Sequence, residues 1–235
     1  MTTTYLTNPQ FIAYGDLLFK RRNAIFPIFM VALLLAFEPN PNPQLPWIGL
    51  AITIAGQLLR MAVIGFAYIK RGGLNKKVYA DTLVTTGFFS MCRNPLYVGN
   101  VMILGGLLIM HGNPAVLLIG SAFFLSAYWA IIATEENFLR NKFGEEYSYY
   151  CSKVPRWWIR FERLPSVLSG MKFNWRKVIY KDYSTIFSWG LQAIAMLAYR
   201  EYVQTHHASM QWLIYALVLG VFTLFIRLVK KRYPL

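Results

Sequence analysis

Cysteine and acidic residues are both scarce in this chain. Only Cys92 and Cys151 are cysteine among 235 residues, and each falls beside a basic stretch, so a disulfide framework is excluded and two free thiols are expected. Ten Asp and Glu stand against 24 Lys and Arg, a formal net charge of +14. In a soluble protein that balance signals nucleic-acid binding. Here the basic residues are divided among short runs that flank apolar segments, with no reader motif, which excludes that class and favours attraction to anionic head groups. The start of the chain lacks a basic n-region, a short apolar core and a small-residue cleavage site, so the first hydrophobic segment is expected to stay. Tandem repeats and low-complexity tracts are missing apart from the Pro/Asn turn at residues 38–43. No inverted repeat or pair of broken mid-bilayer helices is visible, which argues against a transporter.

What the chain has in abundance is apolar surface: 56% of it is hydrophobic and 17% aromatic, with a mean hydropathy of +0.39. This composition predicts an all-α polytopic transmembrane bundle rather than a soluble domain. Six apolar segments can be read, at 24–37, 47–69, 96–110, 115–133, 185–199 and 212–229, of unequal length against the roughly 20 residues that span hydrocarbon. Pro27 sits near the start of the first, and prolines at 39, 41 and 43 prevent its helix from continuing. Gln57 and Arg60 lie on nearly the same face of the second, so that face is expected to look into the bundle, as a satisfied polar pair or as substrate ligands. The tight link His111-Gly112-Asn113-Pro114 makes a helical hairpin of the third and fourth. The fifth and sixth read as an added pair.

Orientation follows from lysine and arginine, which cytoplasmic loops retain. Lys20, Arg21 and Arg22 precede the first segment; Lys70, Arg71, Lys76, Lys77 and Arg93 separate the second and third; ten more fall between 140 and 181; Lys230, Lys231 and Arg232 close the chain. Residues 38–46 and 111–114 have none, and 200–211 has only Arg200. Both termini are therefore expected in the cytoplasm, as are the polar ends of the hairpin. His206 and His207, adjacent and on the other side, suit a loop better than a metal pair.

Those polar ends carry the chemistry. Cys92-Arg93-Asn94-Pro95-Leu96-Tyr97-Val98-Gly99-Asn100 opens the third segment and Thr134-Glu135-Glu136-Asn137 ends the fourth, so the hairpin brings Arg93 and Tyr97 back to two glutamates. Beyond Glu135 the fourth helix continues into water until Gly144 stops it; 145–152 reads as a further short helix with Tyr147, Tyr150 and Cys151 close on one face. Val154-Pro155-Arg156-Trp157-Trp158 follows. Leu164, Val167, Leu168 and Met171 then recur at helical spacing among Arg163, Lys172, Arg176 and Lys177, which predicts a helix lying along the head groups.

The run Gly87-Phe88-Phe89-Ser90-Met91-Cys92-Arg93-Asn94-Pro95-Leu96-Tyr97-Val98-Gly99, the run from Glu135-Glu136 through Phe143-Gly144-Glu145-Glu146-Tyr147 to Tyr150, and Val154-Pro155-Arg156-Trp157 resemble, in order and spacing, the isoprenylcysteine carboxyl methyltransferase and phospholipid methyltransferase superfamily. The resemblance covers about residues 45–160. It divides the chain into a core at 1–160 and, at 161–235, an interfacial segment with two additional helices. It implies S-adenosylmethionine in a cytoplasmic-side pocket, with methyl transfer to a lipid or lipid-like acceptor arriving from the bilayer, and no metal.

By the resemblance, Arg93 and Glu136 form the catalytic pair. Arg93 would hold a carboxylate with its fork of donors, and Glu135 or Glu136 would take the cofactor's ammonium or ribose hydroxyls. Asn94, Pro95, Tyr97, Gly99, Tyr147 and Arg156 complete the cofactor site, Pro95 by starting the helix, Gly99 by admitting the cofactor to the backbone and Arg156 by closing a lid. Gln57, Arg60, Tyr150 and Trp157 face the acceptor. Taken singly, Arg93 also reads as a topological anchor, the glutamates as a solvated helix end, Tyr97 as an interfacial residue, and Tyr147 with Tyr150 as packing. Asn94 stands where the prenylcysteine enzymes usually have histidine, which points away from a prenyl-protein substrate towards a small lipid-like acceptor. An NADPH-dependent sterol-type membrane reductase is the competing enzyme class, disfavoured because Glu135-Glu136 and Phe143-Gly144-Glu145-Glu146-Tyr147 replace its aspartate and K-Y-G-x-x-W pattern. A non-enzymatic membrane protein is the third reading.

Overall fold

Asn–Pro pairs start three of the six long helices. In the computed structural model, which describes residues 8–66, 71–74, 77–80, 82–169 and 172–232, α1 (Pro9–Leu35) opens with the Asn8 side chain accepting the Gln10 N–H at 2.9 Å. The α5 helix (Pro114–Lys153) opens likewise, with Asn113 accepting from Ala115 at 2.9 Å. A proline in the first turn loses nothing, because its missing N–H had no helical partner. Between them lie α2 (Leu45–Phe66), a two-stranded antiparallel ribbon of β1 (Arg71–Leu74) and β2 (Lys77–Ala80), the single turn α3 (Phe88–Met91) and α4 (Pro95–His111), which follows Asn94. Then come α6 (Leu164–Ser169), α7 (Trp175–Thr205) and α8 (Met210–Arg232). Lys70, Lys76 and Met171 lie outside the described residues.

The six apolar segments fall largely on these long helices, with residues 67–69 of the second outside the described residues, and the ribbon is a small addition to an otherwise helical structure. Three helices, α2, α5 and α8, are long and apolar enough to cross a membrane, and α4 is apolar but shorter. The apolar parts of α1 and α7 are diluted by their charged first halves, which hold Asp16, Lys20, Arg21 and Arg22 in one and Arg176, Lys177, Lys181 and Asp182 in the other. Several helices of this length and polarity describe an integral membrane protein.

Glycines bring α2 and α4 backbone to backbone. Gly49 and Gly56 on α2 meet Gly106 and Gly99 on α4; a Cβ on Gly56 would come within 2.7 Å of the Gly99 carbonyl oxygen, and one on Gly99 within 2.6 Å of Arg60 Cγ. Without a hydrophobic drive between helices in lipid, such small residues allow the close van der Waals contact that joins them. On the other flank α1 packs against α5 through aromatic rings. Phe29 stacks on Phe123 at 3.8 Å, and Phe26 meets Phe124 and Tyr128 edge-on at 5.4 Å each. Each pair contributes about 0.5–1.5 kcal/mol beyond its buried area.

The α4–α5 link closes as its residues require: Gly112 sits at φ 73°, the left-handed region, and caps α4. The Pro/Asn turn docks on it, with Asn40 donating to the His111 carbonyl at 2.9 Å and Asn113 donating to that of Glu38 at 3.0 Å. At the other end of α5, Gly144 adopts φ 53° and ψ −119° and breaks the helix, so residues 145–153 turn back as a separate arm.

The interfacial helix expected over 164–177 is not one helix. α6 ends at Ser169, Arg176 and Lys177 already belong to α7, and Val167 is buried against Phe88 and Phe89 rather than facing head groups. The last two helices also differ from one another. α7 sends Ala193 and Met196 into the central core, whereas α8 buries only Ile226.

Candidate functional site

The helical hairpin sets Arg93 and Glu136 face to face at the end where the basic residues collect. Arg93 Nη1 lies 3.1 Å from Glu136 Oε1, and Arg156 meets the same carboxylate from the other side, Nε donating to Oε1 at 3.0 Å and Nη2 to Oε2. Glu136 is only 2% exposed, so two guanidiniums enclose one buried carboxylate. Burial works against the Arg93 charge, but Glu136, and after it the Cys151 thiol, outweigh it and hold the guanidinium above its ordinary value. Arg93 also donates to Cys151 Sγ at 2.9 Å.

The arm after Gly144 supplies the cover. Tyr147 is buried beside Glu136 and Cys151; burial first, then the Glu136 charge, pushes its phenol well above the usual range and keeps it neutral. Tyr150 is pinned by its hydroxyl, which donates to the Phe89 carbonyl at 2.7 Å, and Trp157 packs half-buried on the central core. Residues 154–157 are clipped to the start of α4. Arg93 N–H donates to the Pro155 carbonyl at 2.9 Å, while the Asn94 amide, at 3.1 Å, and the Cys92 thiol both donate to that of Arg156. Buried there, Cys92 has its pKa raised to about 11.

Glu135 looks elsewhere. The Tyr97 hydroxyl donates to Glu135 Oε1 at 2.6 Å and accepts from Arg22 Nη1 of α1 at 3.2 Å. Its ring lies 5.4 Å from that of Tyr128. Arg22 and Tyr128 line a cavity of about 360 Å³ that continues inward between α1, α2, α4, α5 and α7. Tyr97 thus links Arg22, on the cavity wall, to Glu135.

Gln57 and Arg60 do face into the bundle, and they meet a residue that sequence reasoning missed. Asp182 of α7, fully buried, accepts from Arg60 and from Gln57 Nε2 at 2.6 Å, and Trp189 Nε1 donates to Gln57 Oε1 at 2.9 Å. Arg60 also donates to Asn100 and, at 3.2 Å, to Thr185. Asp182 lies in a run of basic residues that reads as a cytoplasmic loop, and its only signal is being a lone carboxylate there. Arg22 was hidden in the same way, as one of three anchoring cations.

Two of the expected site residues have protein neighbours of their own. At Gly99, Arg60 and Gly56 occupy the space its missing side chain leaves. The Asn94 amide is directed to a protein carbonyl, holding the 154–157 segment.

Residues 46–146, which carry Arg93, Tyr97, Glu135 and Glu136, match the family model described as phospholipid methyltransferase. Over about the same stretch the chain is similar to curated isoprenylcysteine O-methyltransferases. Among them are a protein-S-isoprenylcysteine O-methyltransferase of Xenopus laevis, 33% identical over 48% of the chain and 41% of the relative, and one of Schizosaccharomyces pombe, 28% identical over 55% and 53%. The cobalt-zinc-cadmium resistance protein CzcN of Cupriavidus metallidurans is 34% identical over 44% of the chain and 50% of its own length. The chain thus spans about half the length of the curated relatives it matches. No solved structure matches it. Asp182, Trp189 and the 154–157 segment lie outside the family-model match.

Proposed function

We propose that this chain transfers a methyl group from S-adenosylmethionine to a membrane-borne lipid or lipid-like acceptor, whether an isoprenylcysteine-like carboxylate, a phospholipid amine or a small hydrophobic molecule. The observation that carries the reading is the Arg93–Glu136–Arg156 cluster at the polar end of the superfamily hairpin. Its donor set suits the cofactor's carboxylate: two guanidiniums against one carboxylate leave one positive charge in excess. A planar guanidinium fork is the geometry that matches a carboxylate. Glu136 is saturated by its two arginines, so Glu135, bonded to a phenol, is the better partner for an ammonium or ribose hydroxyl.

When bound, S-adenosylmethionine brings a methyl already activated on a sulfonium, so the protein's task is alignment and exclusion of water. Arg93 would hold the donor's carboxylate, Glu136 and Arg156 would fix Arg93, and the neutral, buried Tyr147 would keep water from the cluster. Tyr97 would stand between donor and acceptor. In this reading all six long helices cross or enter the bilayer, with both termini and the cluster in the cytoplasm, where the positive charges collect.

Isothermal titration of the purified protein with S-adenosylhomocysteine and with NADPH tests the assignment. Binding of the first is expected; binding of NADPH alone would transfer the chain to the reductase class, and binding of neither would leave it without a nucleotide-type cofactor. Mass spectrometry of lipid extracts and prenylated thiols incubated with methyl-labelled donor would then identify the acceptor.

A further inference from the structure

Around the last turn of α2, residues 154–169 and 172–175 set packed and exposed side chains in alternation. Ile159 and Leu164 pack against the cluster of Val63, Phe88, Phe89, Met91 and Val167, the Phe173 ring fills the space beside Gly65, and Asn174 N–H donates to the Gly65 carbonyl at 3.0 Å. Between these anchors Trp158, Phe161 and Trp175 are 79%, 67% and 63% exposed, and Leu168 is exposed as well. Because α2 is long and apolar enough to cross a membrane, its last turn marks the level at which hydrocarbon gives way to head groups. Large aromatic side chains left open at that level fit the head-group layer, which meets an apolar ring and a polar surround together. Charge names the lipid. Residues 153–177 hold seven Lys and Arg against the single acid Glu162, and Lys153, Arg160, Arg163 and Lys172 form no ion pair among the described residues. An anionic leaflet supplies the counter-charge that the protein does not.

The exposed rings ride on the strap that closes the arginine cluster. Arg160 N–H donates to the Met91 carbonyl at 3.2 Å and the Arg163 guanidinium to that of Ser90 at 3.1 Å, beside the bonds that tie the Pro155 and Arg156 carbonyls to Arg93 and Asn94. Arg156, which encloses Glu136, lies two residues from Trp158 on this strap, so whatever immobilises Trp158 and Phe161 also steadies Arg156.

We propose that residues 153–169 and 172–176 dock on an anionic leaflet of the membrane, with Trp158, Phe161, Leu168 and Trp175 in its head-group layer, and that this contact steadies Arg156 against Glu136. The docking stands on the exposure, level and charge of these residues; its effect on the cofactor rests on the methyl-transfer reading.

The test uses the full chain in nanodiscs of phosphatidylcholine, with and without phosphatidylglycerol. Lipids brominated near the head group or near the chain end quench tryptophan at their own depth, and the share due to Trp158 and Trp175 is the difference between the unsubstituted protein and the double variant Trp158→Phe with Trp175→Phe. That share should be quenched strongly by the shallow bromine and weakly by the deep one; quenching by neither, or mainly by the deep one, overturns the docking. Hydrogen exchange along residues 155–163 should slow about fivefold when phosphatidylglycerol is present, which is what a single basic residue near an anionic surface contributes, and Lys153→Gln with Lys172→Gln should bring the two lipids to within about twofold. Equal exchange in both lipids, or an undiminished difference in that variant, overturns the anionic preference. S-Adenosylhomocysteine should bind the unsubstituted protein about fivefold tighter with phosphatidylglycerol present; equal affinity in both lipids alongside slowed exchange overturns the steadying of Arg156. Should exchange slow where S-adenosylhomocysteine binds in neither lipid, the methyl-transfer reading fails and the docking stands.

Discussion

Glu135 and Glu136 are neighbours in sequence and work in opposite directions. Glu135 accepts from Tyr97 at 2.6 Å, while Glu136 is enclosed by Arg93 and Arg156. Consecutive residues on a helix point about 100° apart, so a pair of identical side chains can serve two compartments. Their substitutions should therefore separate two functions.

Glu135→Gln should weaken S-adenosylhomocysteine binding by roughly 1.5–3 kcal/mol, the range of a charge-assisted hydrogen bond, with little change in thermal stability. Arg93→Ala should lose as much affinity. Titration calorimetry on folded protein reads both, and full affinity in the two variants would remove the cluster from the cofactor site.

Glu136→Gln should act on stability first. It strips the shared counter-charge from two arginines, and breaking a buried pair by removing one partner costs on the order of 3–5 kcal/mol. The expected signature is a lowered midpoint of unfolding in detergent, partly recovered in the double variant Glu136→Gln with Arg156→Met, which removes one of the stranded charges. A midpoint equal to that of the unsubstituted protein contradicts the enclosure.

Cys92 makes a pH prediction. Burial raises its pKa to about 11 from an ordinary 9.0, so the fold favours the neutral thiol. Its contribution is complete below pH 9 and is lost as pH rises through 11. Over that window the unsubstituted protein should lose about 2–3 kcal/mol more than Cys92→Ala, by the usual linkage between pKa and stability. Parallel stability curves for the two proteins would be the contrary result.

Orientation can be read by labelling. A membrane-impermeant thiol reagent outside intact cells should miss Cys151 and react with a cysteine placed at Ala208, in the exposed link between α7 and α8. Labelling of Cys151 from outside would reverse the topology and set the cluster on the wrong side for the cell's cofactor.

Much of this was legible in the sequence because spacing alone brings the parts together. A seventeen-residue α4 and a two-residue link return Arg93 to Glu136 and Tyr97 to Glu135 whatever the rest of the bundle does. Gly144 was readable as a break because a glycine can take the positive φ that the turn of the arm requires. What was not legible depends on contacts distant in sequence. Asp182 meets Arg60 across more than a hundred residues, and nothing local in a basic stretch marks one carboxylate as buried. Gly99 also seats a neighbouring helix, a use of a missing side chain that a single sequence does not show. The helical spacing of Leu164, Val167 and Leu168 was real but short, and its apolar side covers α3.

The contact between α2 and α4 also has a mechanical meaning. Glycines set the two backbones against each other with Arg60 wedged across Gly99, so this wall of the cavity is stiff. The α1 wall is the compliant one: Pro27, which lines the cavity, removes the helical hydrogen bond to the Asn23 carbonyl, and Asn23 lines it too. Expansion of the chamber to admit a ligand should therefore come from bending of α1 about Pro27, with hydrogen exchange faster along residues 24–31 than along 54–61, and the hairpin bearing Arg93 and Glu136 left in register while it happens.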